Sequence, residues 1–160
     1  MEITAAVLRA ADGPYALETV QLAEPGPGQV LVRIVGSGMC HTDVLPRVAG
    51  SPAPPPIIAG HEGAGVVEAV GEGVSRVRVG DHVALSFDSC GECGPCTHGR
   101  PTYCDTFLAR NLTGRDLDGR TGVTDADSND ISSRWFGQSS FATHAVATER
   151  QARDEDRPST

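Results

Sequence analysis

Along the chain, apolar side chains recur at every second position in bursts too brief for helices. Residues 3–9, 15–22, 29–35, 64–70 and 82–87 alternate in this way and are rich in Val, Ile and Leu, so each predicts a half-buried strand. A sixth, 141–146, follows the apolar pair Trp135-Phe136. Gly13, Gly36, Gly38, Gly71, Gly73 and Gly80 fall at the ends of these segments, and Gly26-Pro27-Gly28 forms a turn between two of them. Pro52 and Pro54-Pro55-Pro56 impose an extended stretch, because proline fixes its own backbone and lacks a donor for a helix interior. One short helical turn is expected between Gly38 and Pro46. The pattern predicts a mainly β fold, a small, partly open barrel of short strands with few helical turns.

From 105 to 133 the alternation dissolves into Gly- and Asp-rich polar sequence, which reads as a long loop. From 148 to 160 the chain carries charges of both signs and no aliphatic side chain larger than alanine. That stretch is expected to be a solvated tail outside a single domain spanning 1–147. No internal repeat is visible.

Charge narrows the function classes. The 160 residues include 13 basic side chains, all arginine, against 21 acidic ones, for a net charge of −8. Such a surface repels nucleic acid. No apolar run is long enough to span a bilayer, so a soluble protein without a membrane partner is expected. The first residues, Met1-Glu2-Ile3-Thr4-Ala5-Ala6-Val7, lack a basic segment followed by an apolar core, which points to the cytoplasm and reduced thiols.

Four of the five cysteines, Cys90, Cys93, Cys96 and Cys104, form a Cys-x2-Cys-x2-Cys-x7-Cys run. This spacing lets four thiolates converge on one ion from a lobe at about 88–105, as a closed tetrahedral zinc site requires. Two disulfides would need an oxidising compartment. An iron–sulfur cluster of the bacterial ferredoxin type would place the fourth cysteine after three residues and before a proline; here seven intervene and Asp105 follows. Zinc is favoured over both. The fifth cysteine lies in Cys40-His41-Thr42-Asp43, and Gly60-His61-Glu62 follows downstream. Cys40 and His61 could be two ligands of a catalytic zinc with an open position, with Thr42 passing a proton and Asp43 or Glu62 fixing the imidazole. From spacing alone, a buried thiol and a structural histidine are the commoner outcome.

The longer pattern Gly60-His61-Glu62-x2-Gly65-x5-Gly71-x2-Val74, continued by Gly80-Asp81-His82-Val83, resembles the signature of the zinc-dependent medium-chain alcohol dehydrogenases. Gly38-Met39-Cys40-His41-Thr42-Asp43 resembles their first catalytic-zinc segment, and the four-cysteine lobe follows in order. The stretches Leu85-Ser86-Phe87-Asp88-Ser89-Cys90-Gly91 and Phe136-Gly137-Gln138-Ser139-Ser140-Phe141-Ala142 look like the aryl (benzyl-type) alcohol dehydrogenase branch. The resemblance covers about residues 3–147.

It implies a GroES-like catalytic domain, with Cys40 and His61 on catalytic zinc and Glu62 beside it as an occasional ligand. It also implies Thr42 as the hydroxyl that relays the alcohol proton and Asp43 as the partner of the His61 ring. His41 would lie near the cofactor pyrophosphate, Trp135 and Phe136 would line the alcohol pocket, although two core aromatics fit the sequence as well, and Cys90, Cys93, Cys96 and Cys104 would hold structural zinc. The implied reaction is oxidation of a primary alcohol, an aromatic one in the aryl branch, to an aldehyde. Zinc acts there as Lewis acid and NAD or NADP as hydride acceptor.

Three departures qualify that expectation. Leu45 stands where many relatives end their proton relay with a histidine. No cysteine follows Cys104 to serve as the third catalytic ligand, and no Gly-x-Gly-x-x-Gly offers a Rossmann phosphate cradle. The sequence therefore reads as the front half of an enzyme, inactive alone and completed only by a nucleotide-binding half; a homo-oligomer is the other partner expected. The alternative from another class is a non-catalytic zinc-binding β-domain that keeps only the structural site. A co-chaperone reading rests on fold analogy alone and explains none of the cysteines.

Overall fold

In the computed structural model, which describes residues 1–154, the described chain forms two five-stranded sheets. The first has the order β4 (Ile57–Ile58), β1 (Glu2–Leu8), β2 (Tyr15–Leu22), β7 (Val123–Thr124), β8 (Asp130–Ile131). The second has the order β10 (Ala152–Asp154), β6 (His82–Leu85), β5 (Glu62–Val70), β3 (Gln29–Gly38), β9 (His144–Thr148). Neighbouring strands run antiparallel in both. The mainly β expectation is met, with helices reduced to short pieces.

Alternation explains the first sheet. Ile3, Ala5 and Val7 of β1 point inward between outward Glu2 and Thr4, and join Val20 and Leu22 of β2 in one apolar cluster. In β3 over Val30–Val32 and in β9 over Ala145–Ala147 both faces are buried, so these stretches lack a polar side. Leu31 and Val146 enter the first cluster while Val30, Val32, Ala145 and Ala147 enter a second with Val67, Val83 and Leu85. This shared pair is the wall between two cores.

The sheets join through residues 141–143. Ala6 N–H donates to the Phe141 carbonyl at 2.8 Å and Thr143 N–H to the Thr4 carbonyl at 2.8 Å, while Ile34 N–H donates to the Thr143 carbonyl at 2.9 Å. The sixth expected strand thus starts at His144 instead of 141, because its first three residues serve as the stitch that closes the barrel on β1.

Two sequence expectations need correction. The stretch 105–133 is not a structureless loop: it contains helix α2 (Phe107–Asn111) and the β7/β8 hairpin. Its aspartates fold it locally. Asp116 Oδ1 accepts the N–H groups of Asp118 and Arg120, and Asp125 Oδ1 those of Asp127 and Asn129, so side chains supply the acceptors that a strand ladder would. The stretch from 148 is not a tail as far as 154. Ala152 pairs with Leu85 across β10 and β6, and Gln151 is fully buried. Small and amide side chains turn inward there while Glu149 and Arg150 caps the surface side. Residues 155–160 of the expected tail lie outside the described residues.

Candidate metal centres

The four-cysteine lobe hangs from the end of β6. Cys93 and Cys96 flank and enter a single helical turn, α1 (Gly94–Thr97), and Cys104 follows a 3-10 turn at Pro101–Tyr103. All four sulfurs lie within 4.8 Å of one another, with Cys90 and Cys96 Sγ 3.9 Å apart, and none is in a disulfide. Backbone N–H groups already point at the sulfurs: Cys93 N–H donates to Cys90 Sγ and Cys90 N–H to Cys104 Sγ, each at 3.3 Å. Burial works against ionising Cys104, yet the donors from Cys90 and Thr106 prevail and bring it down to about 6. Burial, reinforced by the neighbouring sulfurs, pushes Cys96 up to about 12. Thiols held this close cannot all ionise without a cation among them, and four converging soft donors fit structural zinc.

Residues outside the lobe lock it to the barrel. Asn111 of α2 accepts the Asp88 N–H at 2.8 Å and donates to the Asp88 carbonyl at 2.9 Å. The Asp88 carboxylate in turn takes Arg110 Nη1 and the Thr148 hydroxyl, both at 3.0 Å.

The second centre forms where two loops meet. Cys40 caps a 3-10 turn, His41–Arg47, close to the short helical turn expected there, and Asp43 on that turn reaches back to the Cys40 N–H at 3.2 Å. His61 precedes β5, after Gly60 in a left-handed conformation (φ 87°) that its close approach to Phe141 also requires. Asp43 Oδ1 lies 3.1 Å from His61 Nδ1 and accepts the Gly60 N–H at 3.0 Å. With Nδ1 turned to the carboxylate, Nε2 presents its lone pair to the other side, 3.3 Å from Cys40 Sγ. The exposed Glu62 carboxylate completes a set whose ligand atoms lie within 4.8 Å of one another, and it lies over Gly38, where any Cβ would collide with it.

Charges around this centre favour a cation. The Asp43 hydrogen bond raises His61 above its ordinary 6.5 despite burial. Burial opposes the Asp43 carboxylate, but His61 and the N–H groups of Cys40 and Gly60 hold it below its ordinary range. Thr42, through its hydroxyl and its N–H, lowers the Cys40 thiol, with His61 adding to the effect. A softened thiol, an oriented imidazole and a nearby carboxylate suit zinc with an open position.

The remaining expected site residues divide. Thr42 sits at the Cys40 thiol, and His41 is exposed at the start of its turn. Phe136 stacks on the His61 ring, centroids 4.6 Å apart and 28° between planes. Trp135, expected as a wall of an alcohol pocket, is instead fully buried, with its indole N–H 3.2 Å from Asp43 Oδ1. Packing against Leu8, Ile57 and Ala59 keeps it from any open surface. The sequence reading missed Gln138 and Gln151 as supports. Gln138 bonds His61, Gly63 and Ser86, and Gln151 bonds Phe136 and Ser86. Their only sequence signal is an amide within apolar surroundings.

Comparison with known proteins follows this geometry. The model of the alcohol dehydrogenase GroES-like domain family matches residues 26–152. Geraniol dehydrogenase of Castellaniella defragrans is 49% identical over 148 residues, 92% of this chain and 39% of that protein. The crystal structure of an alcohol dehydrogenase zinc-binding domain protein from Burkholderia ambifaria superposes with TM-score 0.93 at 44% identity, over 99% of this chain and 43% of that one. Benzyl alcohol dehydrogenase from Acinetobacter calcoaceticus superposes with TM-score 0.88 at 39% identity, over 99% of this chain and 42% of its own. The chain thus spans about two fifths of the length of these relatives.

Proposed function

Because this chain belongs to the alcohol dehydrogenase GroES-like domain family, we propose that it is the catalytic domain of a zinc-dependent, NAD- or NADP-linked alcohol dehydrogenase. The substrate is a primary alcohol, an aromatic one being favoured by the likeness to benzyl alcohol dehydrogenase. The nicotinamide cofactor is held by a nucleotide-binding half, in keeping with the two fifths of the relatives' length that this chain spans.

One observation carries the reading: Asp43 occupies His61 Nδ1, which aims Nε2 at the space shared with Cys40 Sγ and Glu62. Cys40 and His61 would hold the catalytic zinc, with Glu62 beside them, and Cys90, Cys93, Cys96 and Cys104 the structural zinc. Bound zinc supplies Lewis acidity toward the alcohol oxygen.

The chain's own groups do the rest. Asp43 keeps the imidazole in one tautomer and orientation. Thr42, whose hydroxyl already serves the Cys40 thiol, is placed to take the alcohol proton. Leu45 is half exposed and has no ionisable group, so that proton leaves Thr42 to solvent. Phe136 covers one face of His61 and keeps water from it. His41, exposed next to Cys40 in the chain, is the side chain offered toward a cofactor phosphate.

The test is zinc per chain on protein purified without added metal, beside a Cys40→Ser variant. A value near two that falls to near one in the variant supports the reading. A value near one that does not change with the substitution leaves only the four-cysteine site and favours a non-catalytic zinc domain.

A further inference from the structure

A buried carboxylate is fixed in space by the donors it accepts, and Asp43 accepts four. Its Oδ2 takes the Cys40 N–H at 3.2 Å; its Oδ1 takes the Gly60 N–H at 3.0 Å, His61 Nδ1 at 3.1 Å and Trp135 Nε1 at 3.2 Å. Three of these come from the two loops that carry the candidate ligands. The fourth comes from 92 residues further along, from the far side of an apolar cluster.

Trp135 itself has no freedom. Its ring is fully buried against Leu8, Ala53, Ile57 and Ala59. Its indole is a donor only and must find an acceptor when buried, and here it donates to Asp43 Oδ1. Its backbone is pinned as well: the Trp135 N–H donates to Ser139 Oγ at 2.9 Å, and that hydroxyl donates to the Ile58 carbonyl at 2.6 Å. The next residue meets the imidazole directly. Phe136 stacks on His61, and Trp135 packs edge-on to Phe136 with centroids 5.4 Å apart and 78° between planes. One dipeptide therefore grips His61 twice, on its face through Phe136 and at Nδ1 through Asp43.

We infer that Trp135 is a positioning residue for the Cys40–His61 metal centre: its indole N–H locks the Asp43 carboxylate against His61 Nδ1 and so sets the direction of Nε2. The inference rests on the reading of that centre as a metal site. Without the indole donor, Asp43 Oδ1 keeps the Gly60 and His61 donors but loses its anchor in the apolar cluster around Trp135. Hydrogen-bond partners behind a metal-ligating histidine typically contribute about ten- to a hundredfold in metal affinity. Trp135 acts one bond further back, so about tenfold is expected.

Cobalt(II) titration of the full chain with zinc already in the four-cysteine lobe tests this, read by visible absorption of the thiolate-bound ion. Trp135→Phe, which keeps an aromatic ring and removes the N–H, is expected to weaken cobalt binding about tenfold and to broaden its absorption bands. Ile57→Val, which removes a methyl from the same cluster, is expected to leave affinity within about twofold. Equal affinity in wild type and Trp135→Phe overturns the inference, as does equal weakening by Ile57→Val. No uptake by wild type overturns the metal-site reading itself, a result distinct from either. Wild-type protein gives a check independent of any variant's folding, since the chain has one tryptophan and hence one indole N–H resonance. That resonance is expected to be protected from solvent exchange and to shift when the second zinc equivalent is added. A resonance indifferent to that zinc also overturns the inference.

Discussion

Gln138 Nε2 donates to the His61 carbonyl at 2.9 Å, from a side chain that is almost wholly buried. The same amide donates to the Ser86 carbonyl at 3.0 Å and accepts the Gly63 N–H at 3.1 Å. It ties the start of β5 and the end of β6 to the turn that carries Trp135 and Phe136.

Gln138→Leu keeps the volume and removes all three bonds. Leaving buried backbone groups unpaired costs about 1–3 kcal/mol each, with partial relief by relaxation, so a loss of about 3 kcal/mol is expected. Urea denaturation measures it. Metal titration should show the Cys40–His61 centre weakened and the four-cysteine lobe unchanged, because Gln138 bonds the backbone of His61 and Gly63 directly and none of the four cysteines.

Gly65 of β5 pairs with Ile34 of β3, and a Cβ there would run into the Arg33 carbonyl. Gly65→Ala is expected to cost about 3 kcal/mol, since neither backbone can retreat without breaking the ladder. Gly36 sits in the same strand pair with open space around it and an ordinary φ. Gly36→Ala is expected to stay within about 0.5 kcal/mol. Equal urea midpoints for the two variants would contradict this account.

Much of the barrel was legible because β1, β2, β3, β5 and β6 each carry an apolar face that alternation exposes in the sequence. The two-residue strands β4, β7 and β8 were not, since Ile57–Ile58 or Val123–Thr124 shows no period; they exist only through partners such as Val7 and Leu22. Ala152 gave no signal either, because alanine is small enough to belong to a surface or a core, and pairing with Leu85 decides. Ligand spacing made the four-cysteine lobe visible, whereas Cys40 and His61 stood out only through the longer pattern of glycines and acidic residues around them. The role of Trp135 was invisible, as a tryptophan in sequence does not say whether its ring or its N–H matters.

Glu149 supplies a pH dependence. Burial works against its charge, but the N–H groups of Ser75 and Arg76, at 2.8 and 3.0 Å, lower it below its ordinary 4.5. A carboxylate lowered on folding contributes stability above its unfolded value and loses that contribution as the pH falls through the folded one. Glu149→Gln should therefore melt below wild type at pH 7, and the two melting temperatures should converge as the pH is taken well below 4.5.

Metal removal should separate the lobe from the barrel. None of the three apolar clusters found among the described residues includes a residue between 90 and 104. Besides a bound metal, the contacts that tie the lobe to the barrel are polar ones: the Asp88, Arg110 and Asn111 bonds, and the Arg150 guanidinium lying against Gly91. A chelator strong enough to strip the four thiols is expected to open backbone amides from about 90 to 104 to hydrogen exchange, while β1, β3 and β5 keep their protection. Asn111→Ala should sensitise the same segment at lower chelator concentration, because it unpairs the Asp88 backbone on both its N–H and its carbonyl. Loss of protection across β3 and β5 at the same chelator concentration would mean instead that barrel and lobe unfold as one unit, and that the zinc lobe is part of the barrel's own stability.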